Sequence, residues 1–444
     1  MKILTKNTEK APVNTEKKKQ RKHKILKKQL LLGSGVLLLL LLLLFCLLPA
    51  LRQTELTFSP PKTQLRVVYS EGDVRWINSI EQTVEQFMQE NPDIEVQIFS
   101  PKEVENQGFA DRLKAMIAQE EFYDVVELRE AFAFAEAGYL AELPEELSSL
   151  IQEERMLHSP CYSIPRYTTT RGVIYNRSLF QSLGLSEPKS WQEFLVLCDR
   201  LLQAGYNPIA VGGADLWHMS FWGDYLYQNY LLGENPRELE HSQLIEALSD
   251  FRKLSQNHYI ASRCQTLSDS QTAEELASES SAMLYSGPWM IGQIQDLNPK
   301  IELGFFYLSG KNGKTYMELD DSVEWGIAAE SKNDPARFAA AVRFLKFFYS
   351  EGHYEQVLSN MSADSVVRRK VQIEETETRR LLSAANQENI LPCDAFLGDE
   401  ATPEGFRNFF NQKLQEVLWE NRSLEEIAKE VKEYWEEGYA QMEK

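Results

Sequence analysis

Cysteine is scarce. Five residues in 444, Cys46, Cys161, Cys198, Cys264 and Cys393, include no CxxC pair. Such sparse spacing does not make a disulfide scaffold, and no Cys/His grouping has zinc-ligand spacing. The four cysteines after residue 51 therefore read mostly as buried thiols, with one or two bridges as the alternative. Histidine is as sparse: six residues, none paired at metal-ligand spacing. No GxSxG or HExxH occurs. Gly313-Lys314-Thr315 resembles the end of a phosphate-binding loop, but the glycine required five positions earlier is Leu308. Gly310–Gly313 is better read as a hairpin turn. Asp320, Asp321 and Glu324 could suggest a glycosidase acid pair. Adjacent carboxylates in an acidic chain are more commonly solvated or capping.

Positive charge is missing from most of the chain. Of 47 Lys/Arg and 66 Asp/Glu, residues 1–51 hold 11 and 2, which leaves the remainder at 36 and 64, a net charge of −28. A body that acidic repels phosphate backbones, which argues against a nucleic-acid partner.

Charge is wholly absent between Leu30 and Leu51. These 22 Leu-rich residues span about 33 Å as a helix, enough for a hydrocarbon core of ~30 Å. Lys17, Lys18, Lys19, Arg21, Lys22, Lys24, Lys27 and Lys28 precede the run, and only Arg52 follows closely. The positive-inside rule puts the N-terminus in the cytoplasm and the body outside. A cleaved signal peptide would have a shorter apolar region and a small-x-small site, where this chain has Leu48-Pro49-Ala50. A lipoprotein signal would need a small residue before Cys46, where Phe45 stands. An uncleaved anchor is the expectation, with a basic tail over 1–29 and a tether over 52–64.

Beyond the tether, strand and helix patterns alternate. Leu65–Ser70 reads as a strand. Ile77, Ile80, Val84, Phe87 and Met88 recur at helical spacing until Asn91-Pro92-Asp93 stops them. Ile94, Val96 and Ile98 alternate with polar residues, as a strand does. A helix near 109–119, a strand at Asp124-Val125-Val126 and a helix over 131–137 follow. Ser190 with Glu193 and Ser423 with Glu426 read as capping boxes, and Pro335 as the first turn of a helix over 335–349. This alternation predicts α/β architecture with parallel sheets.

Four segments in order resemble family 1 extracellular solute-binding proteins, the maltose-binding-protein group. They are Tyr162–Pro165 with Gly172–Phe180, Gly184-Leu185 with Pro188–Phe194, Ser281–Trp289, and Trp325–Ser331 with Pro335–Gly352. The likeness runs from about 65 to 440. It implies a two-lobe, periplasmic-binding-protein-like (type II) α/β fold with hinge crossovers, preceded by one N-terminal transmembrane helix. The crossovers would lie near Thr168–Thr170 and Glu318–Asp321. Lobe I would be 65–168 plus 319–365, and lobe II 169–318 plus 366–444. The implied function is capture of a sugar, with no cofactor and no catalysis, by a monomer that delivers it to ABC permease subunits. A non-sugar solute-binding protein, a sensor partner for a membrane kinase and a surface glycosidase are the alternatives.

A sugar offers apolar C–H faces and a rim of hydroxyls, which aromatic rings and planar polar groups match. The resemblance places Trp289, in the Gly287-Pro288-Trp289 turn, on the ligand. Trp217 and Trp222 cluster where relatives carry pocket aromatics. Glu71 and Asp73 follow the first strand, and Arg129 and Glu130 follow the third, at the strand ends where open α/β sheets bind ligands. Asp320 and Asp321 sit at the second crossover. Phe406 and Arg407 are weaker candidates, and Phe406 stands where maltodextrin-binding relatives carry tryptophan, which leaves the sugar open.

Overall fold

The structure, a computed structural model, describes residues 61–70, 74–101, 109–119, 123–156, 159–233, 237–385, 390–394 and 402–442. The basic tail, the apolar run over 30–51 and most of the tether lie outside these residues. So do Glu71 and Asp73. Among the described residues no helix is long and apolar enough to cross a membrane. Residues 62–444 form one compact unit.

Eleven strands are described: β1 (Thr63–Val68), β2 (Ile94–Phe99), β3 (Val125–Leu128), β4 (Ser163–Pro165), β5 (Gly172–Asn176), β6 (Asn207–Ala210), β7 (Ser281–Ser286), β8 (Leu303–Phe306), β9 (Thr315–Leu319), β10 (Glu324–Ile327) and β11 (Ile390–Asp394). They make a five-stranded sheet in the order β2-β1-β3-β10-β4, a four-stranded sheet in the order β6-β7-β5-β8, and a β11-β9 pair. Each of the two larger sheets centres one lobe of a two-lobe α/β fold.

The sheets are mixed, which corrects the expectation of parallel ones. β1 pairs in parallel with β2 and β3, and β6 with β7. But β10 runs antiparallel to β3 and β4, and β5 antiparallel to β7 and β8. The departures occur at strands next to the passages between sheets: β5 follows one directly and β10 another. A strand that arrives from the other sheet is not bound by the geometry of a helical crossover, so it can enter reversed.

The helical spacings place the layers. The Val74–Glu90 helix buries Trp76, Ile80, Val84 and Phe87 along one stripe. Full burial of side chains such as Ile80 or Phe87 contributes about 1.5–3 kcal/mol each. The helix ends where Asn91 turns its side-chain amide back to the Phe87 carbonyl at 2.8 Å. At the Trp191–Gln203 helix, Ser190 Oγ accepts from the Glu193 N–H at 3.2 Å, while Glu193 accepts from the Lys189 N–H at 2.7 Å. The box thus closes one residue early. At the Pro335–Phe348 helix the cap is Asp334, which accepts from the Ala336 and Arg337 N–H groups. Gly310–Gly313 is a hairpin turn: the Gly310 N–H donates to the Lys314 carbonyl at 2.8 Å, and Gly313 takes φ +74°. Cys161, Cys198 and Cys264 are free thiols, the last two buried.

The passages between the sheets lie side by side. Thr169 pairs with Asp320 and Thr168 with Asp364 through isolated antiparallel bridges.

Candidate functional site

One cavity gathers residues from both sheets and from the passages between them, with about 1180 Å³ of empty space, part of it open to solvent. Arg129 and Glu130 reach it from the end of β3, and Trp76 from the helix after β1. Trp217, Ser220 and Phe221 come from the Leu216–Leu226 helix, and Trp289 from the helix after β7. Arg166, Tyr167, Thr169, Arg171 and Asp320 line it from the passages, and Arg407, Asn408 and Asn411 from the Phe406–Trp419 helix.

The second-sheet wall is aromatic. Trp289 is 7% exposed and meets Phe221 edge-on, with ring centroids 6.0 Å apart. Gly287 makes this placement possible, because a Cβ there would lie 1.8 Å from Cζ3 of the Trp289 ring. Trp217 and Phe221 stand four residues apart on one helix face, edge to face at 5.6 Å.

The first-sheet wall and the passages carry charge in pairs. Glu127 is fully buried and accepts from the Ser70 N–H (3.1 Å), the Ser70 hydroxyl (2.8 Å), the Trp76 indole N–H (3.0 Å) and Arg166. The Arg166 guanidinium in turn lies over Trp76 and Tyr167, at 4.3 and 4.6 Å from the ring centroids. Asp320 pairs with Arg129 at 3.3 Å and with Arg171, and Arg171 also pairs with Glu318. Burial pushes the Asp320 carboxyl up, but Arg129, Arg171, Arg407 and the Ser322 hydroxyl outweigh it and hold it well below the usual range. Arg407 donates to Ser220 at 3.0 Å and pairs with Asp224 at 3.2 Å. Its own pKa is lowered to about 10, by burial first and then by Arg129.

Among the described residues, several polar atoms around the cavity have no hydrogen-bond partner: Trp289 Nε1, Arg407 Nη1, Glu130 Oε2, and both Nδ2 and Oδ1 of Asn411. Each buried atom left so costs about 1–3 kcal/mol. Burial raises the Glu130 carboxyl above its ordinary pKa, against the pull of Lys114, the Gly405 N–H and Arg407. Glu130 also holds φ +56°, a left-handed conformation that favours glycine and concentrates at ligand clamps. The group as a whole offers donors and acceptors beside flat apolar surfaces.

Of the residues singled out from sequence, the fold brings Trp289, Trp217, Arg129, Glu130, Asp320 and Arg407 to this cavity. Trp222 is a correction: it is wholly buried, packed on Tyr285, Phe251 and Tyr225. Its helix is apolar on nearly all sides, so a second face of it is core. Phe406 is likewise core, stacked on Phe410 and edge-on to Trp435. Asp321 points to Arg155 at 3.0 Å and does not line the cavity. Trp76, Arg166, Arg171 and Asn411 were missed. The one available signal was Arg407 and Asn411, spaced i, i+4 on the same helix stripe as apolar Phe410 and Leu414. Among the described residues no group of His, Cys, Asp and Glu could hold a metal ion.

A cleft walled by two α/β lobes and by the passages that join them defines a two-lobed binding protein. The chain belongs to the bacterial extracellular solute-binding protein family, whose profile matches residues 76–355. It is similar to the Multiple sugar-binding protein of Streptococcus mutans, 24% identical over 293 residues that cover 61% of this chain and 67% of the relative. Its fold is similar to that of a sugar transporter from Bacillus licheniformis solved with stachyose, at a TM-score of 0.73 and 15% identity, covering 84% of this chain and 100% of that one. A chitin oligosaccharide binding protein superposes at a TM-score of 0.71 and 20% identity, covering 85% and 99%. These structural likenesses establish the two-lobe fold.

Proposed function

We propose that this chain is the sugar-binding subunit of an ABC importer, held at the outer membrane face by an uncleaved helix over residues 30–51. One observation carries the sugar reading: the partnerless polar atoms of Trp289, Arg407, Asn411 and Glu130 surround one aromatic-walled cavity. A polyol both donates and accepts, so it can complete all of these while its C–H faces cover the indoles. Trp289, Trp217, Arg129, Glu130 and Asp320 are the proposed contacts from the sequence reading, and Arg407 and Asn411 join them. Glu71 and Asp73, at the end of β1, remain proposed contacts of the same cleft.

Capture requires no reaction. The monomeric chain closes lobe I (65–168 plus 319–365) on lobe II (169–318 plus 366–444), and ligand favours the closed form because only there does it touch both walls. A tenfold preference for closure needs about 1.4 kcal/mol of differential contact. The closed form docks on permease subunits, and a tether over 52–64 raises its effective concentration there. The name of the S. mutans relative and the stachyose in the B. licheniformis structure support an oligosaccharide as cargo.

The test is a thermal-shift series on the protein with maltose, raffinose, stachyose and chitin oligosaccharides, with spermidine as the non-sugar arm. At least one sugar should raise Tm with rising concentration, be recovered chemically unchanged, and lose this effect in Trp289→Ala. A rise with spermidine alone would replace the sugar by a polyamine.

A further inference from the structure

The Trp289–Leu297 helix carries more than an aromatic platform. Trp289, Gly292 and Asp296 fall at i, i+3 and i+7, along one face. Across the cleft stands Arg75, in the first turn of the Val74–Glu90 helix, beside the cavity-lining Trp76. Arg75 Nη2 donates to Asp296 Oδ2 at 2.5 Å. Its guanidinium lies against the helix at Gly292, where a Cβ would come within 2.5 Å of Cζ, 2.6 Å of Nη2 and 2.9 Å of Nη1. Glycine is a poor helix former, and here it leaves room that the Arg75 guanidinium occupies. A second ion pair joins the same two sides: Lys114, on the Phe109–Ala118 helix, with Glu404, just ahead of the Phe406–Trp419 helix.

The geometry points to a closure latch, in which Arg75, seated on Gly292 and paired with Asp296, holds the two walls together and so sets how long a captured ligand stays. The latch rests on the two-wall capture proposed above and adds its positioning residues. Arg75 and Asp296 are 27% and 74% exposed, and such a pair alone contributes little. Here the guanidinium also fills the space that Gly292 leaves on the helix, which adds contact to the charge pair. A contact that exists only in the closed form acts wholly on the open–closed equilibrium, and in binding terms on release rather than on association. The residues that grip the ligand and those that grip the opposite lobe thus sit within two turns of one rigid helix.

Lys114 and Glu404 allow a test that needs no sugar. A water-soluble carbodiimide activates the Glu404 carboxyl, the Lys114 amine displaces the urea, and the resulting amide records closure by peptide mass spectrometry of the full chain. The Lys346–Glu146 pair, both on first-lobe helices at 2.7 Å, is the internal control. We expect the 114–404 amide in the parent. Its yield should fall about threefold in Asp296→Arg and in Gly292→Leu, with the 346–146 amide unchanged. Absence of the 114–404 amide in the parent, or unchanged yields in the single variants, would overturn the latch. If the control amide falls as well, the fold has been lost, and Arg75→Gln, which removes the guanidinium but keeps a polar side chain, decides in its place. A chain that forms the 114–404 amide but melts alike with and without every sugar loses the sugar reading and keeps the latch; the opposite pair of results removes the latch alone.

Discussion

The two walls of the cleft are built from different chemistry. On the second-sheet side, rings meet rings: Trp217, Phe221 and Trp289 touch edge to face and leave their surfaces toward the cavity. On the first-sheet side and in the passages, nearly every charge is neutralised by the protein itself, Glu127 by Arg166 and Asp320 by Arg129 and Arg171. The comparison teaches a division of labour. A guanidinium already paired with a carboxylate has little left for a ligand, so the ion pairs fix the shape of the cavity. In the proposed capture the rings and the partnerless atoms supply most of the affinity, with Arg129 and Asp320, held by their pairing, adding what their outward edges can reach.

The sharpest way to break this division is to remove Arg171. Glu318 loses its partner and Asp320 one of two, and leaving a buried charge unpaired costs about 3–5 kcal/mol. Urea unfolding of Arg171→Met should show a loss of that size; an unchanged midpoint would sink the structural role of the ion pairs. Next, Trp289→Ala should weaken sugar binding about 30-fold, as expected of a central aromatic contact worth ~2 kcal/mol, measured by calorimetry. A finer contrast uses two indoles of one helix. Trp217→Ala should cost about tenfold in affinity with Tm nearly unchanged, whereas Trp222→Phe should cost ~1–2 kcal/mol of stability and leave affinity within about twofold. If the two variants behave alike, the walls are not distinguished as described.

The smallest effect lies away from the cleft. Burial lowers the His353 pKa from 6.5 to about 4, with Thr83 and Gln86 as its hydrogen-bond partners and Phe347 stacked on the ring. Below pH 6.5 the unfolded chain takes up this proton and the folded chain does not. Stability present above pH 6.5 is therefore lost as pH falls toward 4, by about 1–2 kcal/mol after allowance for partial exposure. Denaturant titrations of His353→Gln should be flatter than the parent over that window, and sugar affinity at pH 7 should not move.

Much of the scaffold was legible because it follows from periodicity. The stripe from Trp76 to Phe87, the alternation in β2 and the stop at Asn91 are local, and locality is what a single sequence records. Strand direction was not, because it depends on where a chain re-enters a sheet. In the cleft, Trp289 was legible through its Gly287-Pro288 setting. Trp217 and Trp222 were not separable by proximity alone. Five residues are roughly 500° around a helix, so the two indoles point about 140° apart, and the cavity could face only one of them. Trp76 and Asn411 were hidden for the opposite reason: each sits in a stripe that reads as ordinary core.

The passages near Thr168–Thr169, Asp320 and Asp364 are laced together by backbone bridges. Segments tied sideways can twist as a ribbon, but they resist sliding past one another. In the proposed capture, opening then follows a single easy axis.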